Sequence, residues 1–271
     1  MARVFVTGSA QGLGRSAAAS LLDRGHQVVV HARDRQRADA LADLADRGAA
    51  VVVGDLASVE QTRRLAEQVN DLGRMDAVIH NAGVYGESRR NPGPEGHPRT
   101  LAVNALAPYL LTALIERPDR LVYLTSGMHI SGDDSLLDLD WTARRWNGTQ
   151  AYCDSKLFVT ALALAVARRW PATTSHAVDP GWVPTRMGGP AATDDLREGH
   201  RTQVWLAVSD DEARRSGQVW HHHALPAGPR RQPTPPSRPG SWTSSRSSPA
   251  SRSLTSHTKP PELLRLLGAS P

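Results

Sequence analysis

The chain has 271 residues, 39% of them hydrophobic, a formal net charge of +5 and one cysteine, Cys153. A single cysteine excludes an intrachain disulfide and a cysteine-built zinc site, and without an apolar run of about 18 residues or a leader before the first strand, neither a membrane span nor a signal peptide is expected. The positive charge suggests nucleic acid until it is located: residues 224–271 carry seven cations against one acid, so the rest is nearly neutral and has no basic face.

Arg3-Val4-Phe5-Val6 reads as a buried strand. It enters Thr7-Gly8-Ser9-Ala10-Gln11-Gly12-Leu13-Gly14, then an alanine-rich helical stretch over 15–22 that stops at Gly25. Glycines in such a turn let the backbone approach a pyrophosphate, and the helix behind them offers free N–H groups and the positive end of its dipole. The spacing is Gly-x-x-x-Gly-x-Gly, not the Gly-x-Gly-x-x-Gly fingerprint. The second strand, Val28-Val29-Val30, continues into His31-Ala32-Arg33. An acid at its end would hold ribose hydroxyls and repel a 2′-phosphate. Alanine stands there instead, and the guanidinium of Arg33 suits a phosphate through charge-assisted hydrogen bonds. Asp34 is expected to cap the next helix.

A third apolar run, Val51-Val52-Val53, leads to Asp55-Leu56, and Ser58-Val59-Glu60-Gln61 is a capping-box start for a helix to about residue 70. Ala77-Val78-Ile79 closes on His80-Asn81-Ala82-Gly83, and Asn104 follows Leu101-Ala102-Val103. Leu121-Val122-Tyr123-Leu124 runs into Thr125 and Ser126. Strand and helix alternate, and the strands are continuously apolar, which predicts an α/β fold: a Rossmann-type doubly wound parallel sheet covered on both faces. Residues 1–223 suit one such domain. Gly8, Asn81 and Ser126 fall at strand C-terminal ends and are expected to converge on the crevice at the switch point.

The chain has 30 arginines and 2 lysines. One lysine is Lys259 in the tail; the other closes Tyr152-Cys153-Asp154-Ser155-Lys156. A sequence so biased toward arginine keeps lysine where a compact ammonium on a flexible stem is needed rather than a planar fork. Four residues is one helical turn, so Tyr152 and Lys156 share a face. A nearby cation lowers the pKa of a phenol, and the pair reads as a tyrosine tuned for proton transfer. Cys153 between them reads as a small helix residue, because no dedicated base partners it. The 25 residues 127–151 before this motif carry Met128, Leu136, Leu137, Leu139, Trp141 and Trp146. They either wall a lipophilic substrate mouth, with Trp182 beyond, or pack the loop down.

Together these motifs resemble the short-chain dehydrogenase/reductase family over about residues 2 to 221, with seven ordered matches. The resemblance implies a role for each. Thr7, Gly8, Gly12, Leu13 and Gly14 would form the cofactor turn, and Asp55 and Leu56 would contact adenine. Asn81, Ala82 and Gly83 match the family's Asn-Asn-Ala-Gly, whose first residue is His80 here. Asn104 would be the structural and proton-relay asparagine, placing a water that links Lys156 to solvent. Ser126 would hold the substrate oxygen, Tyr152 would be the general acid/base, and Lys156 would lower the tyrosine pKa and hold the nicotinamide ribose. Pro180, Gly181, Val183 and Thr185 match the segment whose threonine reaches the nicotinamide amide. The implied activity is hydride exchange between nicotinamide and a carbonyl or alcohol carbon. Arg33 favours NADP(H). NAD(H) stays open, since Gln11 stands where some NADP-using members carry a basic residue. The stretch Leu137-Asp138-Leu139-Asp140-Trp141 resembles retinol-dehydrogenase-like members.

The alternative is a catalytically silent NADP(H)-binding regulatory or scaffold protein. The expected partner is a small carbonyl or alcohol molecule, with no nucleic acid, no membrane span and homo-oligomerisation left open; the expected location is cytoplasmic. No metal is required, and His221-His222-His223 reads as incidental. Residues 224–271 hold ten prolines and ten serines, a composition that builds no packed core and is expected to be disordered. Because the composition changes abruptly, the tail also reads as a frameshifted sequence.

Overall fold

In a computed structural model of the chain, the structure describes residues 1–211, 215–222 and Ala224. The expectations for the tail therefore lie, Ala224 apart, outside the described residues. Seven strands form one parallel sheet in the order β3-β2-β1-β4-β5-β6-β7. They are β1 (Arg3–Val6), β2 (Gln27–Ala32), β3 (Ala50–Val53), β4 (Ala77–His80), β5 (Arg120–Leu124), β6 (Thr174–Asp179) and β7 (Val219–His221). The chain winds outward from β1 to β3, then crosses to β4, which pairs with β1 through Val4↔Ala77, Phe5↔Val78 and Val6↔Ile79. The crevice between β1 and β4 is thus the switch point, as the alternation of elements predicts.

The apolar strands feed two cores because successive side chains point to opposite faces. Val4, Val6, Val28, Val30 and Ile79 pack against Ala17, Ala18 and Leu21 of α1 (Gly12–Asp23). Phe5, Val29, Val78 and Tyr123 face Leu65 and Val69 in a second cluster. The short helices α2 (Arg35–Ala38) and α3 (Ala42–Asp46) join β2 to β3, and α4 (Val59–Asp71) follows. Asp34 accepts the Arg37 N–H and Ser58 accepts the Gln61 N–H, the two caps expected from sequence. Next come α5 (Arg99–Leu101), a π turn over Ala102–Leu106, α6 (Ala107–Leu114), α7 (Gly148–Arg169) and α8 (Leu196–Val208). Among the described residues no helix is long and apolar enough to cross a membrane, and no group of three or more His, Cys, Asp or Glu residues could hold a metal ion.

Candidate active site

The turn after β1 passes through Gly8 (φ 66°) and Gly12 (φ 59°). A Cβ on Gly8 would meet the Ala82 Cα at 2.9 Å, so the turn lies against the loop after β4 only with glycine there. Thr7 ties the two together: its Oγ1 accepts the N–H groups of Asn81 and Ala82 at 2.9 and 3.0 Å. His31 holds the other side. The Gly8 N–H donates to its Nδ1 at 2.9 Å, and its Nε2 lies 2.8 Å from the Gly54 carbonyl. A carbonyl only accepts, so the proton is on Nε2 and the ring is neutral; burial favours that form by lowering its pKa. The sequence reading gave His31 no role, although a histidine closing a valine run signals a polar partner at the strand end.

Above this floor lies a cleft of about 660 Å³. Gly8, Gly12, Leu13, Asn81, Ala82 and Gly83 line it, with Asp55 and Leu56 at one end and Tyr152, Lys156, Pro180 and Thr185 along the rest. Four expected contacts stand behind the wall. Thr7 and Gly14 brace the turn, Val183 is buried against Gly199, and the Gly181 N–H donates to Asp179 Oδ1 at 3.0 Å. Arg33, Arg37, Arg99, Arg186 and Lys156 also line the cleft, against one carboxylate, Asp55. Arg37 was not anticipated. Its Nη1 donates to Gln11 Oε1 at 3.2 Å, so the glutamine of the glycine turn positions a cation from the next helix instead of supplying one. Arg33 donates to Asp34 at 3.1 Å and still faces the cleft.

The donor set fits a dinucleotide phosphate. The Asn81 side-chain N–H donates to the Thr7 carbonyl at 3.0 Å, while its Oδ1 is buried without a partner. An orphaned acceptor on the cleft wall matches a ribose hydroxyl.

Asn147 caps α7 by accepting the Gln150 N–H. One turn later Tyr152 and Lys156 sit on the buried face, 8% and 4% exposed. Lys156 Nζ donates to the Leu124 carbonyl at 2.8 Å and lies 5.5 Å from the Tyr152 ring centre. Burial brings the lysine down to about 8, with Asp179 opposing. The phenol departs from the expected lowering. Burial pushes Tyr152 up to about 12, and the Ser126 hydrogen bond, which pulls it down, is the smaller effect. The ammonium is turned to Leu124 rather than to the phenol oxygen, so desolvation dominates.

Ser126, just past β5, accepts the Met128 N–H at 3.3 Å besides bonding the phenol. Asn104 sits in the π turn, a distortion common at functional sites. Its amide accepts the Val84 N–H at 2.8 Å and donates to the Val84 carbonyl and to Ser155 Oγ, both at 3.0 Å. It thereby pins the loop after β4 to the helix of Tyr152.

The segment 127–151 is mixed: Met128, Leu136, Leu139 and Trp146 are half-buried, while Leu137 and Ile130 are exposed. Trp141 is buried, with the Arg144 guanidinium 3.7 Å from its ring centre. Asp138 accepts the backbone N–H groups of Thr142, Ala143 and Arg144, which holds its carboxyl at about 2. Residues 148–151 form the first turn of α7. None of the six apolar residues singled out in this segment lines the main cleft. Trp182 is half-exposed, and its Nε1 donates to the Gly188 carbonyl at 2.9 Å. His221 lies 3.5 Å from Asp179; His223 is outside the described residues.

The family described as enoyl-(acyl carrier protein) reductase matches residues 8–210. A short-chain dehydrogenase, chyC, of Penicillium rubens is 44% identical over 214 residues, 78% of this chain and 82% of that protein. Human retinol dehydrogenase 13 is 32% identical over 202 residues, covering 68% of this chain and 60% of that protein. A crystal structure of an uncharacterised protein from Mycobacterium paratuberculosis superposes with a TM-score of 0.71 at 27% identity, covering 82% of this chain and 80% of that one.

Proposed function

The chain belongs to the short-chain dehydrogenase/reductase family, and on that footing we propose that it is an NADP(H)-dependent oxidoreductase that interconverts a lipophilic carbonyl compound and its alcohol, with Tyr152 as general acid/base. The observation that supports this most is the pairing of Tyr152 and Lys156 on the wall of a cation-lined cleft, with Ser126 hydrogen-bonded to the phenol. When bound, NADP(H) supplies or accepts the hydride. Tyr152 holds its proton at neutral pH and passes it to the substrate oxygen as charge develops there. Ser126, bonded to the same phenol, stabilises that oxygen. Lys156 is assigned to favour the phenolate that donation leaves and to hold the nicotinamide ribose. Asn104 fixes the loop of Val84, and the water linking Lys156 to solvent is assigned to its turn. Arg33 and Arg37 are assigned to the 2′-phosphate, with Gln11 orienting Arg37. Val84, Met187 and Leu196 on the cleft wall, and the likeness to a retinol dehydrogenase, support a lipophilic substrate. A panel of ketones and aldehydes followed by NADPH absorbance, with NADH alongside, tests the reading. Consumption of neither cofactor would favour a silent binding protein.

Cofactor choice gives a sharper expectation. Arg33→Ala and Arg37→Ala should each weaken NADPH binding about tenfold and leave NADH nearly unchanged, because only NADPH has a 2′-phosphate to lose a charge-assisted bond. Titration of each variant by nicotinamide fluorescence checks this, and equal losses for both cofactors would move the arginines away from that phosphate.

The phenol's elevated pKa predicts an asymmetry with pH. Carbonyl reduction needs the protonated phenol and the charged Lys156, so its kcat should stay flat from pH 6 to about 7 and fall as the lysine loses its proton near pH 8. Alcohol oxidation needs the phenolate, whose population below a pKa of about 12 rises with pH, so it should climb toward alkaline pH. Initial rates in both directions across that range check the sign.

A further inference from the structure

We propose that Tyr85 is the specificity-determining residue of this site, selecting flat, conjugated carbonyl compounds such as aryl ketones over saturated ones of equal size. The inference rests on the reading above, in which the substrate oxygen meets Tyr152. The Tyr85 and Tyr152 ring centres are 4.6 Å apart, with their planes at 63°. Tyr152 is only 8% exposed, whereas Tyr85 is 43% exposed. Tyr85 is not among the residues lining the cleft, but it follows Val84, which is, and its ring is in edge contact with Tyr152, which puts it within reach of a carbonyl that brings its oxygen to the phenol.

The backbone that carries Tyr85 is anchored. The N–H and the carbonyl of the preceding residue, Val84, are both bound to the Asn104 amide. Two residues on, the Glu87 carbonyl accepts the Trp146 indole N–H at 2.9 Å and its carboxylate accepts the Thr100 hydroxyl at 3.2 Å. Gly148, the first residue of α7, leaves room for the Glu87 carbonyl at the base of the helix that carries Tyr152. The backbone on both sides of Tyr85 is thus anchored to elements of the site. The tryptophans of residues 127–151 do not supply such a wall, since Trp141 is buried and Trp146 is bonded to Glu87. Aromatic rings attract one another edge-on or offset beyond the area they cover, and a saturated ring of the same size forgoes that attraction.

The test compares 2-acetylnaphthalene with its saturated counterpart, 2-acetyldecalin, on wild type, Tyr85→Phe and Tyr85→Leu. Both kcat/KM with NADPH and the ketone Kd in the presence of NADP+ are measured. Wild type and Tyr85→Phe should favour the aromatic ketone by similar ratios, and Tyr85→Leu should lose about 3- to 10-fold of that ratio. A ratio unchanged in Tyr85→Leu, or a wild type that binds the two ketones equally, overturns the proposal. Turnover of neither ketone by wild type would count against the oxidoreductase reading, and the Kd ratio would still decide the role of Tyr85.

Discussion

Tyr152→Phe is expected to lower turnover about a thousandfold while leaving cofactor affinity within about twofold, the range of a positioned general acid. The substitution removes one oxygen. The ring keeps its edge contact with Tyr85 and its place on the buried face of α7, so neither the fold nor the cation-lined cleft changes. The hydroxyl of Ser126 loses its partner but stays capped to Met128. Turnover at saturating NADPH, with a fluorescence titration of NADPH alongside, separates the two quantities. Near-wild-type turnover would remove Tyr152 from the chemistry.

The second large effect concerns Lys156, where activity and stability should move in opposite directions. Lys156→Met should abolish measurable reduction and weaken NADPH, yet raise the stability of the cofactor-free protein. Burial holds the lysine at about 8, below its ordinary 10.5. Below about pH 8 it is charged in both folded and unfolded chains, and only the folded chain bears the burial penalty. Between about 8 and 10.5 the unfolded chain binds more protons, so the penalty fades as pH rises. The gain from methionine, on the order of 1–3 kcal/mol, should therefore be largest below pH 8 and absent above pH 10.5. Lys156→Arg keeps the charge but cannot present a compact ammonium to the Leu124 carbonyl, and should lose activity about a hundredfold. Thermal unfolding at pH 7 and at pH 10.5, with rates for both variants, checks the pair of signs. An arginine variant as active as wild type would show that the lone lysine among the described residues is an accident of composition.

The sheet and most of the cleft are legible in the sequence because they rest on local periodicity. Valine runs such as Val28-Val29-Val30 are buried on both faces, and the glycines after β1 lie where a helix begins. The lysine one turn after Tyr152 needs only helical spacing to be placed. What escaped is carried by contacts between segments far apart in the chain. His31 matters through Gly8 and Gly54, Arg37 through Gln11, and Tyr85 is proposed to matter through its contact with Tyr152, on a backbone that Asn104 holds at Val84. The rise in the Tyr152 pKa escaped for a related reason: spacing gives the distance to a cation but not the depth of burial, nor the carbonyl that takes the ammonium. The apolar residues of 127–151 were ambiguous because hydrophobicity alone does not say which surface a loop covers. Here Trp141 covers the loop's own base.

The most direct test of the central claim is the fate of the transferred hydrogen. With NADPH deuterated at the transferable C4 position and 2-acetylnaphthalene as substrate, the alcohol product should carry one deuterium on its carbinol carbon by mass spectrometry, and Tyr152→Phe should form that product only at a trace rate. Saturable NADPH binding without label in any product across a broad ketone and aldehyde panel would contradict the oxidoreductase reading and leave a nucleotide-binding protein in its place.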